Sequence, residues 1–317
     1  MGTGIKRGII QSRGLGDIVI ALPIAHYYHE QFGDEIHWPI CQEFLPSFQE
    51  SVPWVNWYGI PTDDRGEFFV DAPLRVFAAN NVDPAAALYL YHYLNTQPQM
   101  TDPELFSVLK FDQYKYARAG VPFLNKWKLA RCISRDMARE IQFKASLNLP
   151  ARYNVVHLQG STHQVPLEDV RVLLDPAVHV VEITAQSDSI FDWLAVIEGA
   201  ENVICVDSVF ANLIDQLQIR LLHGPNLWWL RRSPWDLTPV LGMNWRIIPT
   251  TMSTADPKRV DPAVETQALK DKIAQQSRPQ PQTRAPTSGA GASGVTSHVP
   301  FKAAGKIPTS FMSALKK

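Results

Sequence analysis

Residues 8–32 constrain this chain more than any other stretch. An apolar run, Gly8-Ile9-Ile10, leads through the polar residues Gln11, Ser12 and Arg13 to the turn Gly14-Leu15-Gly16-Asp17. The apolar series Ile18-Val19-Ile20-Ala21-Leu22-Pro23 follows. The pattern predicts a buried strand, a tight glycine turn, and a helix over about 17–32 whose first amides open at the strand's carboxyl end. Two glycines permit positive φ and close backbone approach, and a helix N-terminus favours negative charge. Arg13, Gly14 and Gly16 are therefore a candidate anion cradle. The same residues also serve an ordinary strand-to-helix connection in which Asp17 caps the helix.

The rest of the chain continues the alternation. Strands are expected at 35–41, 55–60 and 74–78, with a helical turn at 44–49 and a helical pattern over 84–93. Pro39 makes the second strand a poor central one. An aromatic block at 111–123 precedes a basic helix over about 124–147, which carries Lys126, Lys128, Arg131, Arg135, Arg139 and Lys144. Interleaved with Tyr114, Tyr116, Phe123 and Trp127, it suits either a phosphate or nucleic-acid surface or, more commonly, a solvated face over a domain junction. Asn148-Leu149-Pro150-Ala151 reads as a hinge. Beyond it, strands are expected at 154–158, 177–183, 202–206, 220–222 and 245–248, with helices at 189–199 and 209–217.

This predicts an α/β chain with two Rossmann-like domains, 1–150 and 151–274, facing across a cleft. Residues 275–317 are rich in Pro, Gly and Ser, and from Arg278 onward they hold basic but no acidic side chains. Such a segment buries too little apolar surface to fold alone, so a disordered tail is expected.

Composition narrows the function classes. At 317 residues and 45% apolar, the chain has material for two ordinary cores, and a net charge of −1 argues against binding polyanions over its whole surface. Cys41, Cys132 and Cys205 lie far apart without CxxC spacing, which suggests neither a disulfide framework nor a cysteine metal site. No long apolar run and no signal-peptide pattern occur, so a cytoplasmic chain without a membrane span is expected.

Ligands of open α/β sheets bind outside the carboxyl ends of the strands. Three polar turns fall at such ends: 13–17, 159–163 and 207–208. Across a cleft they would meet. His163 and His223 sit at strand ends and suit contact with phosphate or sugar, whereas His157, on an apolar strand, reads as a core histidine. His26 and His29 share a helical face with Glu30 but have no evident third ligand, so no metal is expected. Val19 stands where a dinucleotide fingerprint needs its third glycine, and neither a GxSxG elbow nor a P-loop lysine is present.

The run Gly-x-Gly-Asp-Ile-Val-x-Ala-Leu-Pro, residues 14–23, resembles the opening of the heptosyltransferases of glycosyltransferase family 9. Ala200-Glu201-Asn202-Val203-Ile204-Cys205-Val206-Asp207-Ser208, with Leu221-Leu222-His223-Gly224-Pro225 after the next helix, is similar to that family's second-domain donor segment. The resemblance implies a GT-B fold and metal-independent, usually inverting transfer of a hexosyl- or heptosyl-type sugar from a nucleotide-sugar donor, with no further cofactor. It implies Asp17 as general base, Ser161 and Thr162 with Arg13 facing the leaving diphosphate, and Asp207 and Ser208 on the donor sugar or ribose. This chain departs from the family at Val209, where a glycine is usual, and at Asn212, near the usual histidine. It also lacks the usual Lys and Trp within 159–166, so ADP-heptose is not implied as donor. The departures motivate an alternative, an inactive scaffold acting through its tail; a dinucleotide-dependent oxidoreductase ranks below it. The expected acceptor is a glycan, a lipid-linked sugar or a modified nucleic acid, and the tail is expected to dock a protein or polyanion.

Overall fold

Alternating strands and helices build two parallel sheets in the computed structural model, which describes residues 4–63, 65–92, 100–160, 164–222, 226–232 and 238–250. The first half contains β1 (Lys6–Ile10), α1 (Leu15–Phe32), β2 (Glu35–Cys41), α2 (Leu45–Phe48), β3 (Val55–Ile60), α3 (Asp71–Ala79) and β4 (Leu88–Tyr89). Then come α4 (Pro103–Val108), α5 (Phe111–Ala119), a 3-10 helix (Phe123–Arg131) and α6 (Met137–Ser146). The second half contains β5 (Tyr153–His157), α7 (Leu167–Arg171), β6 (His179–Glu182), α8 (Leu194–Glu198), β7 (Val203–Val206), α9 (Val209–Leu217), β8 (Leu227–Arg232) and β9 (Trp245–Thr250). Strand order is β3-β2-β1-β4 in one sheet and β6-β5-β7-β8-β9 in the other. Every neighbouring pair is parallel. The α/β class expected from the sequence is therefore present. The expected tail, 275–317, lies outside the described residues.

Several local expectations are overturned. Residues 74–78 belong to helix α3, in which Pro73 occupies the first turn, where its missing N–H costs nothing, and buried Phe77 lies four residues after buried Pro73. The expected helix over 84–93 is absent among its described residues, 84–92, beyond one short turn. Asp83 accepts from the Ala85 amide at 2.9 Å, closing a single 3-10 turn (Pro84–Ala86), and β4 follows at once. Residues 220–222 form no strand; the Trp-rich run forms β8 instead, with Trp229 fully buried. Pro39 sits in a central strand after all. The β1 ladder on β2 ends at His37, so at Pro39 only the β3 side is paired.

The basic helix over 124–147 is broken. Trp127 and Lys128 leave helical geometry inside the 3-10 segment, and α6 begins only after Asp136, which caps it by accepting from the Arg139 amide at 2.9 Å. Tertiary bonds compensate the gap: Ser134 donates its amide to the Ser51 carbonyl at 2.7 Å, and the Trp54 indole donates to the Cys132 carbonyl at 2.7 Å. Tyr114, Tyr116 and Lys126 are buried rather than spread over a surface.

One buried apolar cluster runs from Ile9 and α1 to α9 and Trp229, joining the helix layers of both sheets. Residues 1–253 accordingly form one compact unit. Helix α1 is buried continuously from Ile18 to Ala25, because it packs against α9 and the 3-10 segment as well as its own sheet. The chain then returns across this junction. Lys110 donates to the Thr238 carbonyl at 3.0 Å, and Val240 donates its amide to Asp112 at 2.9 Å. Asp215, on α9, accepts from the Gly242 and Met243 amides and from the Trp127 and Trp245 indoles, all within 2.9–3.2 Å.

Candidate functional site

The site begins where β1 ends. Gln11 and Ser12 are buried, and the Ser12 and Arg13 amides both donate to the Tyr91 hydroxyl, at 2.8 and 3.0 Å. Burial pushes that phenol well above its ordinary value, so Tyr91 stays protonated and fixes the chain's exit from the sheet. Gly14 then turns the backbone at φ 81°, ψ 94° and stands at the N-cap of α1. Asp17 is thus the third residue of the helix, and no side chain caps it, which removes the cap reading of this carboxylate. A Cβ on Gly14 would lie 2.6 Å from Asp17 Oδ2. The Gly14→Ala substitution is expected to destabilise the fold by roughly 1–3 kcal/mol through backbone strain and to displace the carboxylate, read by urea denaturation and by a lowered turnover.

Behind the turn lies a residue of the aromatic block at 111–123 to which sequence patterning assigned no role. Lys115, on α5, is fully buried, and its Nζ stands 3.0 Å from Asp17 Oδ1. This contact is an ion pair without hydrogen-bond alignment, whereas the same ammonium donates to Gln11 Oε1 at 2.6 Å and to the Leu90 carbonyl at 3.0 Å. The Gln11 amide is fixed in turn, donating to the Arg13 carbonyl at 2.8 Å. Arg13 itself is exposed, its guanidinium carbon 5.3 Å from the centre of the Phe68 ring.

The opposite wall is the end of β7 and the start of α9. Asp207 and Ser208 are half-buried there. Ser208 occupies the N-cap position without capping; its Oγ lies 2.9 Å from His157 Nδ1. His157 therefore faces the site rather than serving only as core, with its ring 4.8 Å from Phe210. Asn212 donates to the Ser208 carbonyl at 3.0 Å. The two walls touch: a Cβ on Gly16 would lie 3.1 Å from Asn212 Nδ2 and 3.6 Å from the Val209 amide nitrogen. Two helix N-termini, neither capped by a side chain, thus converge with their positive dipole ends at one place.

The structure therefore sets Gly16, the neighbour of Asp17 on α1, against Asn212 and Val209 at the start of α9, beside Asp207 and Ser208 in the chain. Ser161, Thr162, His163 and His223 lie outside the described residues. His26 and His29 pack on Trp54, with ring centres at 5.1 and 5.3 Å, and among the described residues no cluster of three or more His, Cys, Asp or Glu is arranged to hold a metal ion. The residues that patterning missed are Gln11, Tyr91, His92, Lys115 and His157. No local signal marked Lys115: it shares the buried face of α5 with Asp112, Tyr116 and Ala119, but two of those four residues are charged and the face does not read as apolar.

Burial pushes the His157 imidazole down to about 4. Burial, then the Lys115 charge, holds His92 at about 4 as well, with Asp17 acting in the opposite sense. Both rings are neutral in the fold and take up protons more readily once unfolded. Stability is thus complete above about pH 6.5 and falls as pH drops toward 4. Denaturation midpoints measured between pH 7 and 4 should show this slope, and His157→Asn should flatten it.

No family model and no curated protein matches the chain. Among solved structures, the glycosyl transferase family 9 protein of Veillonella parvula DSM 2008 is similar at 11% identity and TM-score 0.49, over 88% of this chain and 91% of that one. The E. coli heptosyltransferase WaaC with ADP is similar at 13% identity and TM-score 0.44, over 85% of this chain and 98% of that one.

Proposed function

We propose that the protein transfers a sugar from a nucleotide-sugar donor to an acceptor hydroxyl by a metal-independent, inverting displacement, its two sheets serving as acceptor and donor halves in the GT-B manner. The observation that carries this reading is the convergence of the α1 and α9 N-termini that follow β1 and β7, with Gly16 against Val209 and Asn212 and Asp17 the next residue on α1. The motif resemblance at residues 14–23 and 200–208 supports it.

In the proposed reaction the acceptor oxygen forms a bond to the anomeric carbon as the bond from that carbon to the diphosphate oxygen breaks. The acceptor proton passes to Asp17, and the leaving diphosphate takes the bonding electrons. Oδ1 is buried toward Lys115, so Oδ2 is the oxygen that serves as base. The amide ends of α1 and α9, with Arg13, meet the leaving charge, since free N–H groups and aligned dipoles at helix starts favour anions. Ser208, oriented by neutral His157, and Asp207 hold the donor sugar or ribose. A hexosyl- or heptosyl-type donor, a cytoplasmic setting and an acceptor among glycans, lipid-linked sugars or modified nucleic acids belong to the same proposal.

The test incubates the full chain with UDP-, ADP-, GDP- and CMP-sugars and measures nucleotide release alongside thermal stabilisation by each donor. Release with one donor class, and stabilisation by the same class, is the expected result. Neither effect with any donor overturns the proposal.

A further inference from the structure

We infer that Lys115 is a positioning residue, which holds the Asp17 carboxylate in a single orientation with Oδ1 engaged and Oδ2 directed to the acceptor; the inference rests on the reading of Asp17 as base. A fully buried ammonium is costly unless its donors are satisfied, and an aliphatic side chain would fill the same space without that cost. Here two N–H donors are met by Gln11 Oε1 and the Leu90 carbonyl, and the charge is paired with Asp17 Oδ1 at 3.0 Å. All three lie around the carboxyl ends of β1 and β4, although Lys115 comes from α5.

The contacts close on themselves. The Arg13 carbonyl accepts from Gln11, Gln11 accepts from Lys115, and Lys115 pairs with Asp17, four residues after Arg13. This ring spans the Gly14 turn, so the orientation of the carboxylate is coupled to the backbone that exits β1. Asp17 has no capping bond that would orient it otherwise. Its side chain is 32% exposed while that of Lys115 is 0% exposed, and Oδ1 is the buried oxygen, so the lysine anchors the pair from inside and the carboxylate's exposure lies on its Oδ2 side. His92 lies close enough for both charges to bias its protonation, and it reports on them.

The experiment compares wild type, Lys115→Met and Lys115→Ala in nucleotide release, with ethylammonium or propylammonium added to the alanine variant. An NMR titration of His92 runs in parallel. Misplacing a catalytic group by about 1 Å costs roughly 10²-fold, so kcat should fall by about that factor in Lys115→Met with donor KM nearly unchanged. The added amine should restore part of kcat in Lys115→Ala. His92 should protonate at higher pH in Lys115→Met; because unfolding would shift it in the same direction, urea denaturation at pH 7 separately checks that the variant is folded. A folded Lys115→Met protein with wild-type kcat, or an alanine variant whose loss merely tracks its folded fraction and does not respond to amine, overturns the positioning role alone. Absence of release in the wild type with every donor overturns the base reading, and the positioning role with it.

Discussion

Replacing Asp17 with Asn should lower nucleotide release by roughly 10²–10⁴-fold, the usual contribution of a positioned general base, while leaving donor-induced stabilisation intact. Asn has the same shape, and its carbonyl can still face Lys115, so the turn at Gly14 keeps its geometry. What disappears is the oxygen able to accept the acceptor's proton. Donor contacts at Asp207 and Ser208 belong to the opposite wall and should not change, which separates a chemical defect from a binding one. A fall in kcat at constant donor KM is the signature to look for. Unchanged turnover would remove Asp17 from the mechanism.

The largest stability effect is expected one helical turn from Lys115, at the Asp112–Lys126 pair. Both side chains are fully buried, with Nζ 2.8 Å from Oδ2. The pair also grips the returning chain, because Asp112 accepts from the Val240 amide at 2.9 Å and Lys126 donates to the Val240 carbonyl. Removing one partner of a buried pair leaves an uncompensated charge, so Lys126→Met should destabilise by roughly 3–5 kcal/mol in urea denaturation. Replacing both partners with Leu and Met removes the charges together, and its cost should be smaller. That cost reduces mainly to the Val240 amide and carbonyl left unpaired, about 1–3 kcal/mol for each buried group. If the double variant is no more stable than Lys126→Met, the pair's charge is not what the fold depends on.

Legibility from the sequence followed the range of the interactions involved. Strands β1, β2, β3, β5, β7 and helices α1 and α9 were readable, because their apolar runs and glycine boundaries lie within a dozen or so residues. Residues 74–78 and 84–93 were misread because short apolar runs carry no reliable period, and the deciding features were a first-turn proline and an aspartate cap. The basic helix over 124–147 failed for a different reason. Its pattern of charges looked continuous, but bonds from Ser51 and Trp54 drew the chain out of helical geometry between Arg131 and Met137.

The sequence by itself determined the α/β class, the strand–turn–helix opening, the place of Asp17 at its start, and the matching turn at Asp207 and Ser208. Each of these depends on local φ, ψ preference and on which side chains water excludes. Only the tertiary structure decided that Asp17 is the third residue of its helix rather than its cap, and that Gly16 abuts the start of α9. It alone placed Lys115 behind the carboxylate, in contact with a glutamine 104 residues away. A lysine's local pattern is the same whether its ammonium meets water or a buried carboxylate. Its role is set by which acceptors the rest of the fold carries to it.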